Sequence, residues 1–339
     1  MLTRPIEIVG GGLAGLSLGL ALRRADVPVR VHEAGRYPRH RVCGEFIAGL
    51  SETTIDRLGL GPVLAGALRH VDVAWSLGDG PTRLQRLPQP ALALSRHVLD
   101  AQLAEHFVAA GGDLRTGSRL DAATPTPGRV IATGRPRSGQ AVWLGLKAHW
   151  GDLPLTRPLE MHVGEHGYVG LARIAGRVNV CGLFRRRPLS RRGPGLLVDY
   201  VRAAGLSALA GRLASAACDH DSFCAVAALE FGRRVAPPTG IQLGDAGATI
   251  APFTGNGMAM AFQSAETALP VLLDYAQGRI DWSGAEGTVA AALRRRFRLR
   301  LASAGLLHPF LLQPWRQRWF SWLHRAQLVP FRPLYAALH

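Results

Sequence analysis

The chain has 339 residues, of which 47% are hydrophobic and 19% charged, and this is the composition of a folded globular protein. Its length suits one large α/β domain or two closely joined domains. The net charge of +16 attracts anionic partners, but no recognisable nucleic-acid-binding module accompanies it, so we expect no nucleic-acid partner.

The four cysteines bear on the cellular compartment. Cys43, Cys181, Cys218 and Cys224 have neither paired zinc spacing nor the density of a small secreted scaffold. Reduced thiols in a cytoplasmic protein without a metal site are therefore expected. The apolar run over residues 8–22 is interrupted by glycines, so we interpret it as part of the fold and not as a signal peptide.

The first predicted elements are a strand, a glycine-rich turn and a helix. Gly10, Gly12 and Gly15 follow a short apolar run at G-x-G-x-x-G spacing, and residues 13–24 have helical character. In a dinucleotide-binding turn the first glycine allows a sharp bend, the second lets a pyrophosphate approach, and the third lets helix and strand pack closely. The start of the helix, Leu13 and Ala14, then faces the phosphates.

A second strand, 29–32, is predicted to lead into Glu33 and Ala34, which we include among the nucleotide contacts. An acidic side chain at this distance from the glycines accepts hydrogen bonds from ribose hydroxyls and disfavours a 2′-phosphate. FAD or NAD is therefore favoured over NADP. The basic loop that follows, which includes Arg41 and Gly44, either clamps the pyrophosphate or is solvated.

The middle of the chain predicts two groups of elements. In the first group, helices are predicted at 51–59 and 98–110, and strands at 71–77, 84–94, 113–120 and 129–132. In the second, strands of an antiparallel sheet are predicted at 141–150, 159–163, 168–172, 177–184 and 222–230, and 196–217 forms one helix or two helices broken near Gly205. A strand at 241–243 and a helix at 258–275 follow.

The C-terminal segment is basic and apolar at once. From Val289 onward, arginines alternate with leucine, phenylalanine and tryptophan in a sequence of helical character. This pattern suits a peripheral contact with an anionic membrane or a lid over an apolar channel. The alternative is an ordinary helical tail that packs on the core with its arginines in solvent.

With both glycine-containing segments in view, the sequence resembles the FAD-dependent oxidoreductases of the para-hydroxybenzoate hydroxylase class. The resemblance rests on GGGLAG with Glu33 and on IQLGDAGATIAPFTGNGMAMA. It implies an α/β fold in which a Rossmann-like FAD-binding domain of the glutathione-reductase type receives an inserted antiparallel β-sheet substrate domain. The implied bounds are 1–70, 96–140 and 233–288 for the FAD-binding domain, 71–95 and 141–232 for the substrate domain, and 289–339 for a helical tail.

The resemblance also implies flavin contacts. In this class the carboxylate of the Gly-Asp step bonds a ribityl hydroxyl, and the later helix N-terminus points at the pyrimidine end of the isoalloxazine. Arg96 falls where the class has an arginine that opens a helix beside the pyrophosphate. In the second motif the implied contacts are Gly244, Asp245, Pro252, Gly255, Asn256, Gly257 and Met258.

Within the class, the loop from Tyr37-Pro38 to Cys43-Gly44-Glu45 is similar to that of the geranylgeranyl reductase branch. That branch places this loop near the flavin, which makes Cys43 and Glu45 candidate catalytic residues. Cys43 is equally compatible with the role of a small buried hydrophobic residue.

Three functions follow from the resemblance. The first is reduction of a C=C bond in a hydrophobic isoprenoid- or polyketide-like substrate by hydride transfer from reduced flavin. The alternative is hydroxylation of an aromatic or polyketide substrate with oxygen activated at C4a, and a non-catalytic flavin- or lipid-binding protein is the third. The flavin halogenases of this class need a Trp-x-Trp-x-Ile-Pro element. Halogenation is disfavoured because this element is absent from the sequence. No second G-x-G-x-x-G follows a strand, so NADH or NADPH is expected to dock transiently as the reductant.

Overall fold

A computed structural model describes residues 3–121, 124, 126–135, 142–227, 229, 231–233, 240–325 and 331–339. The strands are β1 (Ile6–Val9), β2 (Val29–Glu33), β3 (Phe46–Ile47), β4 (Leu68–Leu77), β5 (Arg83–Ala93), β6 (Asp113–Thr116), β7 (Arg129–Ile131), β8 (Trp143–Trp150), β9 (Leu159–Gly164), β10 (Gly167–Ile174), β11 (Arg177–Arg185), β12 (Cys218–Ala227), β13 (Gly232–Arg233), β14 (Ile241–Gln242) and β15 (Ala248–Thr249). The helices are α1 (Leu13–Arg23), α2 (Glu52–Leu58), α3 (Gly61–Leu64), α4 (Arg96–Ala109), α5 (Pro194–Ala203), α6 (Ser207–Ser215), α7 (Gly257–Ala276), α8 (Trp282–Leu312), α9 (Pro314–Arg325) and α10 (Phe331–Leu338).

The first sheet consists of five parallel strands in the order β14-β7-β1-β2-β6. Its central strand, β1, pairs Ile8 with Val31 on one side and with Val130 on the other. All three side chains are fully buried. Parallel sheets are typically covered on both faces, and these strands accordingly have apolar, β-branched residues at their centre. The order also places β14, from the back of the chain, only two strands away from β1.

Helix α1 lies between the first sheet and the helices α4 and α7. Every residue from Leu13 to Leu22 is buried, so this helix has no solvent-facing side. A helix that is apolar all round is stable only inside a core. Gly19 lets α4 approach, because a Cβ there would lie 2.9 Å from the ring of Phe107. The predicted dinucleotide-binding helix is thus held rigidly on three sides.

The second sheet has eight strands in the order β12-β8-β11-β10-β9-β4-β5-β3. Its pairs are antiparallel except for β4 and β9, which run parallel. The strands alternate in polarity: Leu146 and Ala148 of β8 pack under α5 and α6, whereas Lys147 and His149 point to the opposite face. That opposite face of the sheet contains the candidate site.

The long helix α8 and the shorter helices α9 and α10 complete the molecule. Asp281 caps α8, since its carboxylate accepts a hydrogen bond of 2.8 Å from the amide of Gly284. Helix α8 packs on α7 and on the second sheet through β9 and β10. None of the helices in the described part of the chain combines the length and hydropathy that a bilayer-spanning helix requires.

The predicted fold class is confirmed, with corrections to individual elements. The segment 196–217 forms two helices, because Gly205 has a left-handed φ of +76°. The strand predicted at 113–120 stops at Thr116, before the left-handed Gly117. Strand β3 was not predicted, and the parallel pairing of β4 with β9 departs from a purely antiparallel sheet. The predicted strand ends at 141 and 230 lie outside the described residues.

We expect Gly15→Ala to lower the free energy of unfolding by about 1–3 kcal/mol, because an added Cβ would lie 2.0 Å from the carbonyl oxygen of Gly10. The matched control is Gly211→Ala in the middle of α6, where no heavy atom lies within 4 Å of an added Cβ. That substitution should raise stability by about 0.5–1 kcal/mol. Urea unfolding of the two variants measures both effects. Equal effects of the two substitutions would contradict the close approach of α1 to β1.

Candidate functional site

The glycine turn between β1 and α1 has the geometry that its sequence predicts. Gly10 has a φ of +111°, and a Cβ there would lie 2.3 Å from the carbonyl oxygen of Ala132. Gly12 precedes α1, which has no side-chain cap, and a Cβ at Gly12 would meet no heavy atom within 4 Å. The uncapped helix N-terminus therefore opens onto free space, as an anion-binding turn requires.

Glu33 closes one side of this turn. Its carboxylate accepts hydrogen bonds from the amides of Gly11 and Gly35, at 2.9 and 2.8 Å, and from Arg39 at 2.6 Å. The side chain is nearly buried, whereas the neighbouring Ala34 is exposed. The structure thus places Glu33 beside the glycine turn. Ribose binding by Glu33 and Ala34 stays a prediction.

Two arginines converge on one buried carboxylate next to this turn. Arg96 makes a bidentate contact with Asp100 at 2.7 and 2.9 Å, and Arg41 contacts the same carboxylate at 2.9 Å. Burial would lower the pKa of Arg96, but the charge of Asp100 outweighs it and raises the pKa, so the guanidinium stays charged. Asp100 was not predicted; its i,i+4 spacing from Arg96 on a predicted helix was the available signal.

The second motif contacts the first directly. Gly244 has a φ of +58°, and a Cβ there would lie 3.2 Å from the Cβ of Ala14 in α1. The amide of Gly244 donates to the hydroxyl of Ser264 in α7 at 2.9 Å, which fixes the turn. The two segments that the sequence assigns to one ligand are therefore adjacent in space.

Asp245 extends from this junction with about a third of its side chain exposed, 3.2 Å from Arg135. Burial raises the pKa of Asp245, and the charges of Arg135 and Arg96 oppose this rise. Arg96 and Asp245 come from distant parts of the sequence, yet they are close enough for the charge of Arg96 to lower the pKa of Asp245. A carboxylate that is partly accessible and flanked by cations is available to accept hydrogen bonds from a hydroxyl-rich ligand.

The loop before α7 packs against the Cys43–Phe46 segment. Gly255 has a φ of +68°, and a Cβ there would lie 2.2 Å from the ring of Phe46. Helix α7 has no side-chain cap, and no heavy atom lies within 4 Å of a Cβ at Gly257. This helix N-terminus therefore also faces open space. Pro252 begins the turn that leads into the loop, and Met258 is buried in the first turn of the helix.

Asn256 is fully buried and its side chain is bonded to the C-terminal helix, since its Nδ2 donates to the carbonyl of Leu338. Its Oδ1 has no hydrogen-bond partner among the residues that the structure describes. A buried acceptor without a donor is costly, and a ligand hydrogen bond would satisfy it. The flavin contact predicted for Asn256 is compatible with this free acceptor and stays a prediction.

A buried cluster of charged residues connects the Cys43–Phe46 segment to the second sheet. The Glu45 carboxylate lies 2.7 Å from Nε2 of His149 and 3.4 Å from Nζ of Lys147, and it accepts a hydrogen bond from the amide of Arg96 at 2.9 Å. Burial alone would raise the pKa of Glu45, but the bond from His149 and the charge of Lys147 outweigh it, so the pKa is lowered. Glu45 also has a left-handed φ of +56°, which its contacts must stabilise.

His40 lies at the more exposed end of this cluster. Its Nδ1 is 3.2 Å from Nζ of Lys147, and its ring stacks on His97 at a centroid distance of 4.4 Å. Burial and the charge of Lys147 lower the pKa of His40 to about 4. His40, Glu45 and His149 offer three groups that could hold a metal ion, but the ammonium of Lys147 already supplies a positive charge at this position.

Cys43 lies at the start of the same segment. Its carbonyl accepts a hydrogen bond of 3.0 Å from Nδ2 of Asn179, and its sulfur lies 3.4 Å from the amide of Glu45. Burial raises the pKa of Cys43, so its side chain is a neutral thiol near neutral pH. Gly44 follows it next to the ring of Phe46. The catalytic roles of Cys43 and Glu45 stay predictions.

An apolar cavity of about 820 Å³ lies next to the loop before α7. Its walls come from the second sheet, from Phe253 and Thr254, and from α8 and α10. Cavities of several hundred Å³ with mostly apolar walls are typical of small-molecule sites. The lining side chains on the sheet include Val73, Trp75, Leu159 and Met161. Neither Cys43 nor Glu45 is among the described residues that line the cavity.

Strand pairing places the charged cluster and the cavity on the same face of the second sheet. One cross-strand row runs from Lys147 through Cys181 and Gly170 to Met161 and Trp75. The next row runs from His149 through Asn179 and Ala172 to Leu159 and Val73. Both rows have their smallest residue on β10, in the middle. The face thus has a charged end, an apolar end and little side-chain volume between them.

No protein-family model and no curated protein matches this chain. Solved structures do. The flavin-dependent brominase Bmp2 has a TM-score of 0.76 at 17% identity, with 98% of this chain and 92% of that chain covered. PqsL from Pseudomonas aeruginosa, described as a probable FAD-dependent monooxygenase, has a TM-score of 0.72 at 16% identity, covering 94% and 98%. A flavoprotein/dehydrogenase from Cytophaga hutchinsonii has a TM-score of 0.68 at 15% identity, covering 91% and 88%.

The chain has the flavoprotein monooxygenase fold. At these identities the similarity establishes the fold alone, and it extends over nearly the whole of each chain. The similarity does not distinguish the geranylgeranyl reductase branch from other members of the predicted class.

We expect Glu45→Gln to lower the free energy of unfolding by about 3–5 kcal/mol, because it leaves the ammonium of Lys147 buried without a counter-charge. Glu52→Gln is the matched control: Glu52 is exposed and pairs with Arg69 at the surface, so the change should stay within about 1 kcal/mol. Lys147→Met in the Glu45→Gln background should recover part of the loss. Similar losses in the two single variants, measured by denaturant unfolding, would show that Glu45 does not balance Lys147.

Proposed function

We propose that this chain is an FAD-dependent oxidoreductase that hydroxylates a hydrophobic aromatic or polyketide-like substrate. The observation that carries the proposal is the junction of the two glycine motifs. Gly244 packs against Ala14, and the N-termini of α1 and α7 both lack side-chain caps and face open space at Gly12 and Gly257. Two helix N-termini in one site suit a ligand that is negative at two separate positions.

The residues of this junction fit FAD. The turn from Gly10 to Gly15 would hold the pyrophosphate, with Arg41 and Arg96 adding positive charge. Glu33 would bind the ribose, and Asp245 would bind the ribityl chain through its accessible carboxylate. The N-terminus of α7 would stabilise negative charge at the pyrimidine end of the ring system. Asp100 contributes by holding both arginines in one orientation.

Bound FAD, once reduced by NADH or NADPH, supplies either a hydride or activated oxygen. The protein's contribution on the substrate side is the apolar cavity, which excludes water and orients a hydrophobic molecule. We place hydroxylation first because the fold is shared with PqsL, which is described as a probable FAD-dependent monooxygenase. The similarity to Bmp2 does not favour bromination for this chain, whose sequence lacks the Trp-x-Trp-x-Ile-Pro element.

Reduction of a C=C bond is the second candidate, and one observation favours it. Alkene reduction by hydride needs a proton donor, and Cys43 is a neutral thiol in the segment that the reductase branch places near the flavin. Cys43 is outside the set of described residues that line the cavity, so this candidate requires substrate to extend beyond the cavity. For either reaction, we propose that the enzyme acts in the cytoplasm or at the membrane surface.

We expect the purified protein to be yellow, with flavin absorption bands, and Asp245→Ala to weaken FAD retention by about tenfold, or about 1.4 kcal/mol. Loss of the accessible carboxylate removes its bonds to the ribityl chain. Asp274→Ala is the control, because Asp274 has 43% of its side chain exposed and pairs only with the surface residue Arg279 among the described contacts. Equilibrium dialysis of both variants measures retention. Equal FAD affinity in the two variants would contradict the placement of the second motif.

Turnover with ¹⁸O₂ distinguishes hydroxylation from reduction. We expect the enzyme, reduced by NADH or NADPH and supplied with alkyl-substituted aromatic compounds, to form products that contain one labelled oxygen atom. Alkene substrates should not reoxidise the reduced enzyme without oxygen. Anaerobic reoxidation by alkenes together with unlabelled, hydrogenated products would establish the reductase. A flavin-loaded protein that oxidises no electron donor with either class of substrate would contradict both catalytic functions.

A further inference from the structure

Helix α9 exposes three tryptophans on one face. Trp315, Trp319 and Trp322 are separated by four and three residues, which places them on the same side of a helix. Their exposed fractions are 55%, 61% and 54%. The rings of Trp319 and Trp322 contact each other edge to face, at a centroid distance of 6.3 Å. The helix therefore presents a contiguous aromatic surface to the solvent.

The opposite side of α9 is attached to the protein. Gln317 lies about half a turn away from the tryptophans, and its Nε2 donates to the carbonyls of Gly164 and Leu311, at 2.7 Å each. This attachment fixes which face of α9 points outward. The tryptophans are therefore exposed because α9 packs on the protein through its opposite face.

The surroundings of these tryptophans are strongly basic. From Gly287 to His339 the sequence contains no aspartate or glutamate. The same segment contains the arginines Arg294, Arg295, Arg296, Arg298, Arg300, Arg316, Arg318, Arg325 and Arg332. On α8, the exposed Leu299 and Leu306 lie among these arginines, with exposed fractions of 68% and 73%. Exposed aromatic and aliphatic residues within a purely cationic segment are typical of surfaces that bind anionic lipid.

The apolar cavity adjoins this surface through the chain itself. Leu307, Phe310 and Leu311 of α8 line the cavity. Helix α9 begins at Pro314, three residues after Leu311. On α10, the cavity wall includes the exposed residues Arg332 and Pro333, so the cavity reaches the surface beside these helices. A hydrophobic molecule dissolved in a bilayer would meet the cavity at this position.

We propose that α9, with the neighbouring exposed part of α8, docks on the surface of an anionic bilayer. The tryptophans Trp315, Trp319 and Trp322 insert at the level of the headgroups. The exposed arginines bind lipid phosphates, and these are Arg294, Arg295 and Arg298 of α8 and Arg318 of α9. The amphipathic character of tryptophan suits this interfacial position better than a fully apolar environment. Docking brings the cavity next to the lipid phase, from which a hydrophobic substrate can enter. The surface itself requires no bound flavin.

The test is flotation of the purified full-length protein with vesicles of phosphatidylcholine alone or mixed with phosphatidylglycerol. We expect binding to the mixed vesicles at about 0.1 M salt and its loss at about 1 M salt, where the Debye length falls to about 3 Å. Replacing the three tryptophans together (W315S, W319S, W322S) should weaken binding by about tenfold or more. Replacing three arginines (R294Q, R295Q, R298Q) should weaken binding to the anionic vesicles by a similar factor.

Two controls keep the result specific. The double variant R115Q and R119Q removes exposed arginines from β6 and the loop after it. These lie at the edge of the first sheet opposite β14, the strand that α8 contacts, so this variant should bind vesicles like the unmodified protein. Thermal unfolding should be unchanged in all three variants because the substituted side chains are exposed.

Two outcomes would overturn the proposal. One is equal vesicle binding by the tryptophan variant and the unmodified protein. The other is absence of vesicle binding together with a dimer, seen by light scattering, that the tryptophan substitutions dissociate; that result would assign the surface to a second copy of the chain. Neither outcome depends on FAD, so failure of this proposal is separate from failure of the proposed function.

Discussion

The contact between Gly244 and Ala14 is the constraint on which the site depends. It exists because β14 and β7 extend the first sheet beside β1, so that a strand near residue 241 ends close to the turn that follows residue 9. In a parallel sheet the carboxyl ends of neighbouring strands lie at one edge, and the loops that follow them share that edge. Glycine at 244 permits both the left-handed turn and the close approach to α1. A larger residue at this position would separate the two motifs.

The buried ionic cluster fixes how the second sheet meets this edge. Glu45 receives its counter-charges from Lys147 and His149 on β8 and a backbone hydrogen bond from the start of α4. One carboxylate therefore connects the loop after β2, strand β8 of the second sheet and helix α4. Buried ion pairs contribute little net stability, but breaking one is costly, so they restrict the relative positions of the elements that they join. The cluster acts as a positional restraint at the site.

The sequence predicted those parts of the site whose physical causes are local. The spacing of Gly10, Gly12 and Gly15 predicts the turn because it follows from the local geometry of a strand, a tight turn and a helix. In the structure Gly10 has a positive φ of +111°, Gly12 leaves open space before α1, and Gly15 lies against the carbonyl oxygen of Gly10. The role of Asp100 was missed because it depends on Arg41, 59 residues away in sequence, as well as on its helical neighbour. Burial of Lys147, the only lysine, was also not predicted, since a charged residue on a strand is usually exposed.

Long-range strand order limited the prediction of the fold in the same way. The parallel pairing of β4 with β9 joins segments separated by β5 to β8, and no local pattern in either strand reports it. This pairing nevertheless decides where the cavity lies, because Val73 and Trp75 of β4 and Leu159 and Met161 of β9 form its wall together. Apolar residues at alternate positions showed that each strand has a buried face, but they did not show which strands pair with each other.

The division of the second sheet into a charged end and an apolar end has a consequence for the roles of its residues. A group that transfers a proton to or from the substrate must lie within hydrogen-bond reach of it. Glu45, His149 and Lys147 are bonded to one another at the charged end, whereas Met161 and Trp75 border the cavity at the other end of the same row. Under the proposed function, Glu45 is therefore a positioning residue that orients β8 and the Cys43–Phe46 segment. Substrate selection then depends on the shape of the apolar end, to which β4, β9, α8 and α10 all contribute.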